Sequence, residues 1–408
     1  MSASSFYMRS NRFQQSSLNS FMIKLCKHID CTGCTACAGV CIHNAIQMVA
    51  SDEGFLYPII DGGLCRECHL CEKTCPVIKV VPLSQPVRSY AAWSLDKKVR
   101  THSSSGGIFS ELARFIFQNG GVVVGASLDD SSGIVKHIIV DKFEDIFLIQ
   151  GSKYVQSIIS PEIYRQIRTI LHNGRKVLFT GTPCQVAGLI SATHNHNNLF
   201  TMDIVCHGVP SPKWFQQIHH NVREKIKNFV NYNFRQLSSW SVCPNVNVNV
   251  NGKIINRELH GVETCYQDAF LKGYLHRENC YQCRYAGIKR VADVTVADFW
   301  GIGTISPISD DYNLGCSLML VNTSKGEILF KGIQNRIFSE PRDVKETINA
   351  GNDQLKEPSY RPAERNNFYI DAFSIPLTKL IEKYELKYTK EPTIWIRFKS
   401  KVKYILSQ

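Results

Sequence analysis

Hydrophobic and polar positions change rhythm along this chain, and the change divides it in two. Beyond residue 88 short apolar runs alternate with stretches of helical periodicity. Gly107–Gln118 (GIFSELARFIFQ) repeats its apolar positions at helical spacing. Pro161–Leu171 opens on proline, as helices often do, and Gly326–Ile337 predicts a further helix. Tyr90–Trp93, Gly121–Ala126 (GVVVGA), Ile134–Val140, Lys176–Thr180, Leu199–Cys206, Val291–Trp300 and Ser317–Val321 read as strands, most of them buried. Asn245–Val250 (NVNVNV) alternates strictly, which predicts an exposed or edge strand. The expected fold class is α+β, a small N-terminal module followed by a mixed α/β core. Regular βαβ spacings are too few to predict a parallel sheet.

Before residue 88 the organising feature is cysteine. Cys31, Cys34, Cys37 and Cys41 read C-x2-C-x2-C-x3-C, and Cys65, Cys68, Cys71 and Cys75 repeat that spacing 34 positions later, with Pro76 following. This is the spacing of a bacterial two-cluster ferredoxin, in which three thiolates of one run and the fourth of the other hold each [4Fe-4S] cubane. The expected ligand sets are Cys31, Cys34, Cys37 with Cys75, and Cys65, Cys68, Cys71 with Cys41. Structural zinc and disulfides are the alternatives. Ile42 follows Cys41, where the motif usually carries proline.

The segment 1–25 is polar and lacks the apolar stretch of a signal peptide, so it reads as a flexible tail. Val81–Val87 holds two prolines and reads as a linker. No run of 18 uncharged apolar residues is present, so no spanning helix is expected. Sixteen cysteines without a secretory signal fit a reducing cytoplasm. The formal net charge of +12 raises anionic partners. No zinc-finger, RRM or helix-turn-helix signature accompanies it, so nucleic acid is not an expected partner.

Four later cysteines sit in chemical contexts. Cys184 (FTGTPCQVAGL) and Cys206 (DIVCHGVPSP) each follow a strand, and Cys280 and Cys283 form a C-x2-C pair. The four could converge on a third metal site, or Cys184 and Cys206 could be small buried hydrophobes. Cys26, Cys243, Cys265 and Cys316 read as packing residues. Ser103-Ser104-Ser105-Gly106-Gly107 enters a helix and suits either a pyrophosphate or simple capping. Gly151–Ser157 places Lys153, Tyr154, Gln156 and Ser157 in one turn, either around a flavin and its phosphates or in a polar surface loop. Asp298-Phe299-Trp300 could wall a flat cofactor or simply pack in the core. His207, beside Cys206, is the candidate catalytic residue, against the alternative of a satisfied loop histidine; His69 reads as surface.

Taken together, THSSSGGIFSELARF, GGVVVGA, GSKYVQS, LFTGTPCQVAGL, DIVCHGVPSP, CYQCRY and ADVTVADFWGIG resemble the coenzyme F420 hydrogenase/dehydrogenase beta subunit family, in family order behind a ferredoxin module. The resemblance implies FAD and a [4Fe-4S] cluster in the core. It strengthens Cys184, Cys206, Cys280 and Cys283 as cluster ligands, and Ser104, Ser105, Gly106, Gly107, the Lys153–Ser157 loop and Asp298 as FAD contacts. It also implies a division into a ferredoxin domain at 26–80, the two parts of the beta-subunit core at 88–165 and 166–345, and a C-terminal extension at 346–408.

The implied activity is an oxidoreductase that takes electrons from a ferredoxin or another redox protein and delivers them through clusters and FAD to a small-molecule acceptor such as coenzyme F420. The alternative is a non-catalytic electron-transfer subunit of a larger complex, and association into oligomers is compatible with either. Ile394, Phe398, Val402 and Ile405 recur at helical spacing beside Arg397, Lys399, Lys401 and Lys403. Such a basic amphipathic helix either docks on the core or makes weak contact with an anionic membrane surface.

Overall fold

The structure, a computed structural model, describes residues 23–390 apart from 237–239, 311 and 349. The C-terminal helix expected over 394–406 lies outside the described residues.

The N-terminal module is small. Helix α1 (Ala36–Gly39) and helix α2 (Leu70–Thr74) each carry part of a cysteine run, and β1 (Ile46–Ala50) pairs antiparallel with β2 (Leu56–Ile60). Thr35 and His69, the residues before the two helices, both adopt left-handed conformations, so the two halves of the repeat turn alike.

The core is built on one eight-stranded sheet. Its strands are β3 (Arg88–Ser94), β4 (Val122–Asp129), β5 (Ile134–Val140), β6 (Val177–Gly181), β7 (Leu199–Ile204), and, after the smaller sheet, β11 (Val294–Asp298), β12 (Ser317–Val321) and β13 (Ile337–Pro341). The strand order is β13-β3-β12-β11-β7-β6-β4-β5. The middle of the sheet, β4-β6-β7-β11, is parallel, and the flanking pairs are antiparallel. A parallel centre was not expected from the spacing of elements. The strand that completes it, β11, arrives only after the small sheet. Because β3 pairs with β12 and β13, the segments 88–165 and 166–345 share this sheet, and residue 165 falls inside a helix.

Helices α3 (Lys97–Thr101), α4 (Ile108–Gln118), α5 (Pro161–His172), α6 (Pro183–Ala192) and α7 (Pro212–Lys225) pack around it. Three of them start alike. Ser160, Thr182 and Ser211 are the N-caps and a proline follows each, where its missing N–H costs nothing. Tyr164, Ile167 and Leu171 form the buried stripe of α5.

The second sheet is β8 (Phe229–Asn233), β9 (Asn245–Val250) and β10 (Lys253–Glu258). Here the expectation of an exposed or edge strand over 245–250 is corrected, since β9 is the middle strand. Val246 and Val248 are buried against Trp214, Phe215 and Tyr266, while the intervening asparagines face the other side. Strict alternation reports one buried face, not position in the sheet. The helix expected over 326–337 is shorter, running as α9 (Ser324–Ile333) and ending before β13. Helix α8 (Cys265–Leu271) precedes β11, and helices α10 (Lys345–Ile348), α11 (Arg365–Ala372) and α12 (Leu377–Lys383) follow β13. Phe368 and Leu380 anchor the last two in the Trp214 cluster, and Arg365 pairs with Glu53 of the N-terminal module. Among the described residues no helix is long and apolar enough to cross a membrane.

Candidate redox site

All sixteen cysteines lie among the described residues and none is disulfide-bonded. Twelve of them gather in three groups. Cys41, Cys65, Cys68 and Cys71 line one hollow with Ile23, Ile46 and Ile60, and Cys68 is exposed. Ala45 N–H points to the Cys41 sulfur at 3.3 Å.

Cys31, Cys34, Cys37 and Cys75 form a more buried group. Burial pushes the Cys34 thiol up to about 12, and the charges of Cys31 and Cys75 push it the same way. Cys37 is raised well above the usual thiol range by burial and then by Cys34, Cys31 and Cys75. Cys75, from the second run, thus acts on the thiols of the first. Cys26 packs against the buried Cys31, Phe55, Tyr57 and Tyr369 cluster, in line with its expected packing role. The neighbouring Cys26 thiol is the first cause that lowers both Cys31 and Cys75 to about 6.

The third group is Cys184, Cys206, Cys280 and Cys283. Cys184 lies in the first turn of α6, just past β6, and Cys206 just past β7. The two strands are adjacent and parallel, so both cysteines emerge at the same carboxyl edge of the sheet, where ligands of α/β folds collect. Cys280 and Cys283 close the group from the turn at Glu278–Gln282. All four line one hollow with Thr32, Arg277 and Asn279. Burial pushes the Cys280 thiol up to about 12, reinforced by Cys283 and Cys184. Burial also raises Cys206, reinforced by Cys280 and Cys283.

Buried neighbouring thiols of this kind ionise together only when a cation takes up their charge. Among the described residues no three His, Cys, Asp or Glu side chains surround a single-ion site. Main-chain N–H groups of Gly33, Ala36, Gly208 and Val209 serve the sulfurs of Cys31, Cys34, Cys206 and Cys280, the hydrogen bonding that tunes such clusters.

A buried ion pair fixes the third group. Arg290 Nη2 lies 3.1 Å from Asp203 Oδ2, and Nη1 donates to the Tyr285 carbonyl at 3.0 Å. One guanidinium thus ties the end of β7, carrying Cys206, to the loop after Cys283. This group lies beside the Cys31 group. A Cβ added to Gly188 would sit 2.9 Å from the Cys34 sulfur, and Gly188 is one helical turn from Cys184 on α6. Tyr164 donates to the Cys34 carbonyl at 2.6 Å, and the Asn279 amide donates to the Asp30 carbonyl at 2.8 Å.

The candidate flavin residues divide. Ser152 N–H donates to Ser104 Oγ at 3.1 Å, so the two loops meet. Ser105 Oγ donates to the Cys316 carbonyl and Gly106 N–H to Ser317 Oγ, each at 3.0 Å. Ser317 is the register partner of Asp298. Asp298 is held by Arg235 at 2.5 Å and by Trp240 Nε1 at 2.6 Å, and Trp240 stacks on Trp300. Burial raises the Tyr154 phenol, and the charges of the same Arg235 and Asp298 act on it in opposite directions. Ser104, Ser105, Gly106, Gly107, Lys153, Tyr154 and Asp298 therefore belong to one region at the sheet edge.

Gln156 and Ser157 do not join it. Both are buried and turn inward. Gln156 bridges the Thr32 carbonyl and Arg277, and Ser157 Oγ accepts from Gln185. Phe299 is fully buried in the core. The glycines have packing reasons of their own: a Cβ on Gly106 would meet the Ala92 carbonyl at 2.3 Å, and Gly107 has φ of +85°. Lys153 fits an anion better. Burial holds its amine down to about 7 against the opposing charge of Asp130, and Nζ donates to the neutral Gln150 carbonyl. His207 lies half-buried between Phe270 and His276, and its carbonyl accepts from Ser359.

Comparison with known proteins gives the family. The 4Fe-4S dicluster domain matches residues 30–78. Coenzyme F420 hydrogenase/dehydrogenase beta subunit models match residues 89–161 (N-terminal) and 174–347 (C-terminal), together more than half of the chain. The chain belongs to the coenzyme F420 hydrogenase/dehydrogenase beta subunit family. This member is an iron–sulfur protein of an oxidoreductase family, with a dicluster module at its N-terminal side. The structure of the F420-reducing [NiFe] hydrogenase complex from Methanosarcina barkeri, derivatised with xenon, is similar over 74% of this chain and 93% of that one, with 19% identity and a TM-score of 0.44. No curated protein matches the chain.

Sequence reasoning missed Arg235, Arg277 and Arg290. The family segments CYQCRY and GSKYVQS bracket their neighbourhoods, but only the fold brings these arginines beside cysteines and Asp298.

Proposed function

We propose that this family member is an iron–sulfur flavoprotein oxidoreductase that takes electrons from a ferredoxin-type protein and delivers them to a small anionic acceptor of the coenzyme F420 kind. The observation that carries the reading is the union of three cysteine groups with the Ser104–Ser152 loop pair in one body. Cubane clusters carry single electrons, and a flavin exchanges electrons singly or as hydride.

In this reading Cys41, Cys65, Cys68 and Cys71 hold the outermost cluster. Exposed Cys68, Arg66, Lys73 and Lys79 present it to an acidic redox protein, and the surplus of positive charge steers that partner in. Cys31, Cys34, Cys37 and Cys75 hold the second cluster, and Cys184, Cys206, Cys280 and Cys283 the third. Ser104, Ser105, Gly106 and Gly107 with Lys153 bind FAD through its phosphates, Lys153 supplying the cation. Tyr154 and the Arg235–Asp298 pair orient the ring side, and Gln156 and Ser157 act as structural links. The division follows the same line, with a cluster module at 26–80, a core over 88–165 and 166–345, and an extension at 346–408 whose Arg365 pairs with Glu53 of the cluster module.

A single-turnover experiment tests the activity. Photoreduced protein, purified without oxygen, is mixed with coenzyme F420 and with other anionic acceptors. Stoichiometric reduction of one of them is expected. If no acceptor is reduced until a partner protein is added, the chain is a non-catalytic electron-transfer subunit.

A further inference from the structure

Arg277 is one of the largest fully buried side chains of the protein. Its guanidinium donates from Nε to the Cys31 carbonyl at 2.6 Å, from Nη2 to the Leu56 carbonyl at 3.0 Å and from Nη1 to Gln156 Oε1 at 3.2 Å. It lies over the Tyr57 ring at 4.0 Å, and Phe55 flanks it at 5.5 Å. Every one of these partners is neutral. The other deeply buried arginines, Arg235, Arg290, Arg342 and Arg365, each pair with a carboxylate. A buried cation without an anion is costly, so burial at this position implies a counter-charge close by.

The anionic groups beside it are thiols. Arg277 contacts Cys31 of the second cysteine group, and its charge also acts on Cys280 of the third. It lines the hollow of that third group, and a Cβ on Gly33 would lie 2.7 Å from its Nη1. It thus stands between two sites whose thiolates, bound to iron, give each cluster a net negative charge. That charge grows by one unit when a cluster is reduced.

We propose that Arg277 is the shared counter-ion of the two inner clusters, holding both potentials up and matching them to each other for electron passage. The proposal rests on the reading of Cys184, Cys206, Cys280 and Cys283 as cluster ligands. A fixed cation stabilises the reduced form more than the oxidised form, so its removal lowers the potential. Arg277 acts as a positioning and tuning residue and needs no contact with substrate. The outermost cluster, held by Cys41, Cys65, Cys68 and Cys71, has no such neighbour among the contacts of Arg277.

The test is a redox titration of anaerobically purified full-length protein, followed by electron paramagnetic resonance, for wild type, Arg277→Gln and Arg277→Lys. In Arg277→Gln the potentials of the two inner clusters are expected to fall together while the outermost stays at its wild-type value. Arg277→Lys keeps the charge with fewer donors, and both inner potentials should stay near wild type. Unmoved inner potentials in Arg277→Gln at wild-type iron content overturn the proposal, and so does an equal shift of all three clusters. If Arg277→Gln does not retain iron, a fall of both inner potentials in Arg277→Lys still overturns it. Absence of a third cluster signal in wild-type protein is a different failure, that of the ligand assignment itself.

Discussion

Arg290 and Asp203 form a fully buried ion pair, 3.1 Å apart, behind the third cysteine group. Burial raises the Asp203 carboxyl and the Arg290 charge opposes that rise. The guanidinium also holds the carbonyls of Ile204 and Tyr285. Asp203→Ala leaves a buried cation unpaired, and unfolding by urea under anaerobic conditions should show a loss of about 3–5 kcal/mol. A loss no larger than that of an exposed pair would mean that solvent reaches this site.

Tyr164→Phe tests how the two halves of the redox chain are joined. The substitution removes the hydroxyl that donates to the Cys34 carbonyl and leaves that buried acceptor unsatisfied. Destabilisation of about 1–3 kcal/mol is expected, together with a changed resonance line for the second cluster. An unaltered line would place the hydroxyl outside the cluster's environment.

His137 supplies a pH dependence. Its Nε2 donates to the Thr180 carbonyl at 2.9 Å, while Nδ1 is buried without a partner, and burial lowers its pKa to about 4. The unfolded chain takes up this proton near pH 6.5 and the folded chain only near 4. Stability is therefore full above pH 6.5 and falls as pH drops through that window, by on the order of 3 kcal/mol from this group. Comparing wild type with His137→Leu isolates the effect. Their stability difference should shift with pH below 6.5 and be constant above it.

Ser104→Asp probes the flavin loops without disturbing a glycine. The carboxylate can still accept from Ser152 N–H, but it adds a negative charge where a pyrophosphate is proposed to lie. Flavin released by acid from the purified variant should fall several-fold per chain, with iron content unchanged. Equal flavin occupancy would leave Ser104 as a loop contact alone.

Much of the architecture was legible because it is local. The strand over Ser317–Val321 and the helix beginning at Pro161 follow from a buried apolar run and from a cap with proline. What could not be read was how distant segments meet. The strand order that puts β11 beside β7, and so Asp298 on the same sheet edge as Cys206, joins parts of the chain about ninety residues apart. The same limit applies to β9, whose alternation is equally compatible with a middle or an edge position. At the site, the cysteine groups were legible because ligand spacing is written in the sequence. Lys153 and Gln156 looked equivalent in one loop, but the chain sends one to the sheet edge and the other to Thr32 and Arg277. Arg277 had no signal at all, because its role depends on the absence of a carboxylate from a place that only folding defines.

The most direct test of the account is the iron and sulfide content of anaerobically reconstituted protein, wild type against the double variant Cys280→Ser, Cys283→Ser. Three cubanes predict about twelve irons per chain in the wild type. The double variant should lose about one third of them, with the two ferredoxin-type signals intact. Equal iron content in the two proteins would contradict a third cluster at Cys184, Cys206, Cys280 and Cys283.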